Sequence, residues 1–187
     1  MSDFLPFEPG AKVLASTGGG GGVSEFGLLR FNPAKRAAAI ASGTGSGSIV
    51  VGWRFLVLQA GVSVTGADYY AAWSGTKSIK IRLWDGDGNP LASKTVAIAG
   101  PALATVTFDT PVAINLPSDP SKPLTISAWE TGGSVYGAGP ESLAVTYPPP
   151  DGAVQLIQGC YGGGDIYPPS NAGTQYPYGV SPRISIA

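Results

Sequence analysis

The chain has 187 residues, of which 43% are hydrophobic and 12% are charged, and its formal net charge is −1. This hydrophobic fraction argues against a disordered chain, and the near-neutral charge argues against nucleic acid or an acidic membrane surface as a partner. Histidine is absent and Cys160 is the only cysteine. The commonest general base, an intramolecular disulfide and a cysteine-based zinc site are therefore excluded.

Residues 1–47 are predicted to form a docking arm ahead of the folded domain. Five consecutive glycines, Gly18 to Gly22, are typical of a flexible linker. A phosphate-binding loop would need lysine followed by serine or threonine after them, but Val23 follows instead. The apolar anchors of the arm are expected to be Phe4, Leu5, Phe7, Phe26, Leu28 and Leu29.

Two further expectations concern this N-terminal region. Asn32 and Pro33 suit the N-cap and first position of a short helix that ends near Gly43. The first residues, MSDFLPFEPGAKVL, contain no basic start followed by an apolar run, so no secretory signal is expected. No segment approaches the length of a transmembrane helix, and no membrane partner is expected.

The remainder of the chain, residues 48–187, is predicted to be a single β-domain. Runs of β-branched and aromatic residues recur every 8–12 residues or so, with turn residues between them. This pattern predicts an all-β fold, an antiparallel β-sandwich of jelly-roll-like type with an extended N-terminal arm. Trp53, Trp84 and Phe108 lie within strand patterns and are expected in the core.

The segment SIKIRLW shows the clearest strand periodicity. Ile79, Ile81 and Leu83 point to one side of an extended chain, whereas Lys80 and Arg82 point to the other. Such alternation is typical of a strand that packs one face on a core and turns the other face outward. The segment is therefore predicted to be a half-buried strand.

The stretch LWDGDGNPL, residues 83–91, has acidic and amide side chains spaced two residues apart, as in a calcium loop. The calcium pattern fails, because Pro90 stands where glycine is needed and Val96 where glutamate is needed. Asp-Gly and Gly-Asn pairs accept positive φ. The stretch is predicted to be a hairpin turn that depends mainly on Gly86 and Gly88, with an incidental surface cation as the alternative.

Three motifs occur in an order that resembles an uncharacterised domain of modular bacterial surface and secreted proteins. They are the strand from Gly52 to Phe55, the stretch LWDGDGNPLA, and VTFDTPV with Pro111 and Val112 at its end. The resemblance runs over roughly residues 49–187, more loosely toward the C terminus. It implies a jelly-roll-like sandwich with no catalytic residues.

The residues themselves also predict no catalytic site, cofactor or metal centre. No G-x-S-x-G elbow is present, and Glu130 is interpreted as an ordinary polar strand end. Loop aromatics in the C-terminal third can stack on sugars, or pack over loops and subunit contacts. The candidate ligand or partner surface consists of Trp129, Tyr136, Tyr161, Tyr167, Tyr176 and Tyr178.

Low charge and the lack of catalytic groups favour a non-enzymatic structural protein whose surface is partly covered by neighbours. The expected setting is a bacteriophage virion, in which the arm docks a capsid decoration, tail or fibre-type component to other virion proteins or to copies of itself. The alternative is an adhesive module that binds host-cell glycans through its loop tyrosines. An enzyme ranks last.

Overall fold

The computed structural model describes residues 24–27, 48–114, 119–130, 153–173 and 179–187. These residues form eight β-strands: β1 (Ser24–Gly27), β2 (Ile49–Val57), β3 (Val62–Trp84), β4 (Pro90–Ile114), β5 (Leu124–Glu130), β6 (Val154–Gly163), β7 (Ser170–Gly173) and β8 (Val180–Ile186). Every pairing between these strands is antiparallel.

Two sheets arise because β3 and β4 are long and take part in both. Residues 62–69 of β3 pair with β8, and residues 79–84 of the same strand pair with β5. The first sheet has the order β1-β8-β3-β4, and the second has the order β7-β6-β2-β5-β3-β4. The two sheets pack as a sandwich, so the predicted all-β antiparallel sandwich is confirmed.

The β3–β4 hairpin changes sheets where its ladder is interrupted. The register shifts between Ala71 and Gly75. Opposite this shift, a Cβ atom on Gly100 would lie only 2.3 Å from the backbone oxygen of Trp73. Glycine therefore permits a close approach of the two backbones that a side chain would block.

The core lies between the sheets and includes the inward side chains of β2, β3 and β5. Its largest fully buried members include Trp53, Phe55, Ile79, Ile81, Leu83 and Ile126. The alternation predicted for SIKIRLW is confirmed, as are the core positions of Trp53 and Phe108. Trp84 is buried, as expected, but it lies outside the main core cluster, on the outer face of the second sheet and against Tyr167.

Strand β4 forms an edge of both sheets, because among the described strands it pairs only with β3. Pro90, Pro101 and Pro111 each lie at one of its register shifts. Proline lacks a backbone N–H, so it is tolerated where a ladder is already interrupted. The backbone N–H donors along this edge are therefore divided by the prolines into separate segments.

One segment of the predicted arm adds a strand to the first sheet. Strand β1 pairs with β8, with Phe26 opposite Ile184. The other predicted arm anchors, the glycine tract and the expected helix lie outside the described residues. The division into an arm (1–47) and a head domain (48–187) stays a prediction.

The β3–β4 connection is a turn, as predicted, but its centre is a carboxylate. Asp85 Oδ1 accepts hydrogen bonds from the backbone N–H groups of Asp87 (2.9 Å) and Asn89 (2.8 Å). The Asn89 side chain, which donates to Oδ2 at 2.9 Å, is the main cause of the lowered pKa of Asp85. Gly88 has a φ of +83°. The prediction that the turn depends mainly on its glycines was therefore incomplete.

We expect Asp85→Ala to lower the free energy of unfolding by about 1–2 kcal/mol, because two backbone N–H groups lose their acceptor. Asp87→Ala is the control and should cost much less, since it removes only an exposed ion pair with Lys122. Urea denaturation at neutral pH measures both variants. Equal costs would contradict the central role of Asp85.

The same pair of variants has a defined pH dependence. Because the pKa of Asp85 is lowered in the folded state, its charge stabilises the fold at pH values above the ordinary aspartate pKa. That contribution is lost as the pH falls through the lowered value. The difference in free energy of unfolding between Asp85→Ala and Asp87→Ala should therefore become smaller in acid, and urea denaturation at a series of pH values measures it.

Candidate functional site

Cationic and aromatic side chains collect on the outer face of the second sheet. Lys80 of β3 pairs with Trp129 of β5, while Arg54 of β2 and Trp84 of β3 both pair with Thr125 of β5. Directly opposed residues in an antiparallel ladder share a face. These side chains therefore lie on the side of the sheet away from the core.

The loop at residues 164–169, between β6 and β7, supplies an acid to this face. The Asp165 carboxylate forms a two-pronged ion pair with Arg82: Nη1 lies 2.7 Å from Oδ1 and Nη2 lies 3.0 Å from Oδ2. Lys80 Nζ contacts the same Oδ2 at 2.6 Å. One carboxylate therefore joins the loop to two cationic side chains of β3.

Tyr167 covers the next part of the face. Its ring meets the Trp84 ring edge-on, with 5.8 Å between centroids, and the Arg54 guanidinium lies 5.7 Å from the Tyr167 centroid. Trp84 also donates from Nε1 to the Ser127 hydroxyl at 2.7 Å. Trp84 is thus buried by a loop outside the sandwich rather than by the core.

Arg54 joins β2 to the far end of the same loop. Its guanidinium donates to the side-chain oxygen of Asn171 and to the backbone oxygen of Pro168, the latter at 3.0 Å. Its Nε atom is buried and has no hydrogen-bond partner among the described residues. Arg54 therefore retains a donor that no described group uses.

Trp129 lies at the other end of the face and is half-buried. Its Nε1 donates to the Ser48 hydroxyl at 2.9 Å, and Lys80 Nζ lies 5.0 Å from its ring centroid. Contacts of this kind between cations and rings are favourable. We call this surface the cation–aromatic face; its members are Arg54, Lys80, Arg82, Trp84, Trp129, Asp165 and Tyr167.

Of the six predicted surface aromatics, the structure brings two to this face, Trp129 and Tyr167. Tyr161 is 44% exposed, but it pairs with Val51 of β2. The side chain of Val51 points to the opposite side of the sheet from that of Arg54. It therefore lies on the other side of the sheet. Tyr136, Tyr176 and Tyr178 lie outside the described residues.

Most of the polar members of the face were not predicted from the sequence. The alternation in SIKIRLW does place Lys80 and Arg82 opposite the core side chains, and that signal was available. Nothing in the sequence indicates that Asp165, 83 residues beyond Arg82, contacts it. Long-range pairing of this kind is decided by the strand order.

A second polar cluster lies at one end of the core. Glu130 is 1% exposed and contacts Lys77 Nζ at 2.8 Å. Burial, with a smaller contribution from Glu130, raises the pKa of the Tyr69 hydroxyl far above its ordinary value. Glu130 ends strand β5, as expected, but its side chain is buried and ion-paired rather than exposed.

Cys160, the only cysteine of the sequence, is buried. Burial raises the pKa of the Cys160 thiol to about 12, so its reactive thiolate form is scarce near neutral pH. Within the described ranges no three histidine, cysteine, aspartate or glutamate residues form a group that could hold a metal ion. The same residues include no helix long and apolar enough to cross a membrane.

Comparison with protein families gives a match over part of the chain. Residues 35–119 match DUF4082, a domain of unknown function. The expected resemblance to an uncharacterised domain family is thus confirmed, over a shorter range than residues 49–187. The match includes Arg54, Lys80, Arg82 and Trp84 but ends before Trp129 and the 164–169 loop. No match was found among curated proteins.

Proposed function

We propose that the chain is a non-enzymatic adhesive module that binds carbohydrate through the cation–aromatic face. The observation that carries the proposal is the placement of two partly exposed rings, Trp129 and Tyr167, beside three cationic side chains on one sheet. The proposed ligand is a glycan on a host-cell surface.

The chemistry of the face suits sugars. Aromatic rings pack against the C–H groups of a pyranose, and charged nitrogen donors hydrogen-bond to its hydroxyls. Three of the members, Arg54, Lys80 and Trp129, stand on neighbouring strands whose ladders fix their spacing. Binding to a surface of fixed geometry costs little ordering entropy.

We expect Trp129→Ala to reduce glycan affinity about tenfold or more, because the substitution removes one of the two partly exposed rings of the face. A glycan array followed by calorimetry on the strongest hit measures the loss. Tyr161→Ala is the matched control, since Tyr161 is an exposed aromatic on the other side of the sheet. It should bind as the wild type does.

Circular dichroism should show that both variants remain folded. Loss of binding in the Tyr161 variant alone, or unchanged binding in the Trp129 variant, would contradict the proposed face. Absence of any glycan signal for the wild type would contradict the function itself.

A second candidate is a structural component of a bacteriophage virion that docks through its N-terminal arm to other virion proteins or to its own copies. It is favoured by the low charged fraction, 12%, because a surface with few charges suits contact with neighbouring molecules. The two functions are compatible. A chain that bound no glycan but sedimented as an oligomer would favour the structural role.

A further inference from the structure

The cation–aromatic face carries more positive than negative charge. Three of its members are cationic, and Asp165 is its one acid. The nearby acids of the described ranges are used elsewhere: Asp85 accepts within its own turn, Asp87 pairs with Lys122, and Glu130 pairs with Lys77. The contacts of Arg54 on this face are with neutral groups.

Resting on the proposed function, we propose that the ligand is an acidic glycan, and that its carboxylate or sulfate binds Lys80 and Arg82 in place of the Asp165 carboxylate. Asp165 is then an internal competitor that occupies the anion position when no ligand is present. The site selects sugars that bear a negative charge over neutral sugars of the same shape.

The geometry of the Asp165 contact supports this exchange. Arg82 presents both terminal nitrogens to one carboxylate, at 2.7 and 3.0 Å, and the same planar fork can bind the two oxygens of a ligand's carboxylate or sulfate. The Lys80 ammonium adds a third donor at 2.6 Å. The position is therefore already arranged for an oxyanion.

The position of Asp165 on a loop also supports its exchange for the anionic group of a ligand. Lys80 and Arg82 belong to β3, which pairs on both sides, whereas Asp165 belongs to a loop. The side chains of this ion-paired group are 20–28% exposed, so water and a ligand reach it. A partly exposed ion pair contributes little to stability. Replacing the Asp165 carboxylate in this pair by the anionic group of a ligand therefore costs correspondingly little.

The unused donor of Arg54 extends the same surface. Its buried Nε atom has no partner among the described residues, and its guanidinium lies against Tyr167. Tyr167 lies on the same loop as Asp165, so displacement of the loop would uncover this donor and the Trp84 ring that Tyr167 covers. A sugar ring beside its own acid group would then meet an aromatic ring and a further cation.

The experiment compares an acidic glycan with a neutral one of the same linkage, a polyuronate oligosaccharide against its carboxyl-reduced form. Calorimetry is performed on the full chain for the wild type, Asp165→Asn and Arg82→Gln. Lys94→Gln is the control, because Lys94 pairs with Asp109 on the β4 edge, away from the face.

We expect the wild type to bind the acidic oligosaccharide about tenfold more tightly than the neutral one. Asp165→Asn should tighten acidic binding severalfold and leave neutral binding unchanged, because the internal competitor has lost its charge. Arg82→Gln should abolish the preference, and Lys94→Gln should keep it. Raising the salt concentration should weaken only the acidic complex.

The possible failures are distinguishable. Equal binding of acidic and neutral sugars overturns the inference and leaves the proposed function intact, as does a preference that survives Arg82→Gln. If Asp165→Asn detaches the loop and weakens both sugars equally, the competitor role is wrong. Equal binding of polyglutamate, an anion without sugar rings, would overturn both the inference and the carbohydrate function.

Discussion

Replacing Gly52 with alanine should lower the free energy of unfolding by about 2–4 kcal/mol. A Cβ atom at this position would lie 2.3 Å from the backbone oxygen of Ile126 and 3.1 Å from the Cα atom of Ser127. Both neighbours belong to β5, and β2 is also hydrogen-bonded to β6 on its other side. The strand cannot move aside without disturbing a ladder.

Gly163→Ala is the matched control for this substitution. Gly163 belongs to the neighbouring strand β6, and nothing lies within 4 Å of a Cβ atom built there. Its replacement should leave stability unchanged or raise it slightly, because alanine loses less backbone entropy than glycine on folding. Urea denaturation of both variants tests the comparison, and a similar loss at the two positions would refute the steric argument.

The second large effect is expected for Trp53→Ala, at about 3–5 kcal/mol. Trp53 is 1% exposed and belongs to the core cluster. Its removal forfeits the burial of a large ring and leaves a cavity that β2 and β5 cannot close. Thermal and urea unfolding should both show the loss.

Trp129→Ala provides the comparison within the same pair of strands. Trp129 is half-buried on the opposite side of the sheet, so its truncation should cost roughly a third as much or less. If both tryptophan variants lost equal stability, the assignment of inner and outer faces would be wrong. A small loss of stability would also show that Trp129→Ala remains folded and is suitable for the binding experiment.

The sequence predicted the fold class because its strongest signal is local. Alternation in SIKIRLW and the Asp-Gly turn after it are decided by neighbouring residues, and the structure contains both. The length of β3 and β4 was not predicted. Gly75, Gly100 and Pro101 resemble turn signals, yet they lie at register shifts inside one continuous hairpin.

The candidate site could be predicted only in part, for a related reason. The outward direction of Lys80 and Arg82 follows from strand periodicity. Their meeting with Asp165 and the burial of Trp84 beneath Tyr167 follow from strand order and from a loop that crosses the sheet. No local pattern encodes contacts between segments so far apart in sequence.

The three prolines of β4 have a consequence for chains held at high density. A neighbouring copy that aligned its own backbone along this edge would find each stretch of donors ended by Pro90, Pro101 or Pro111. Proline on an edge strand is one of the devices by which natural sheets limit pairing with another chain. Two copies held side by side therefore have a poorer template for joining their sheets along β4 than a strand of the same length without proline would offer.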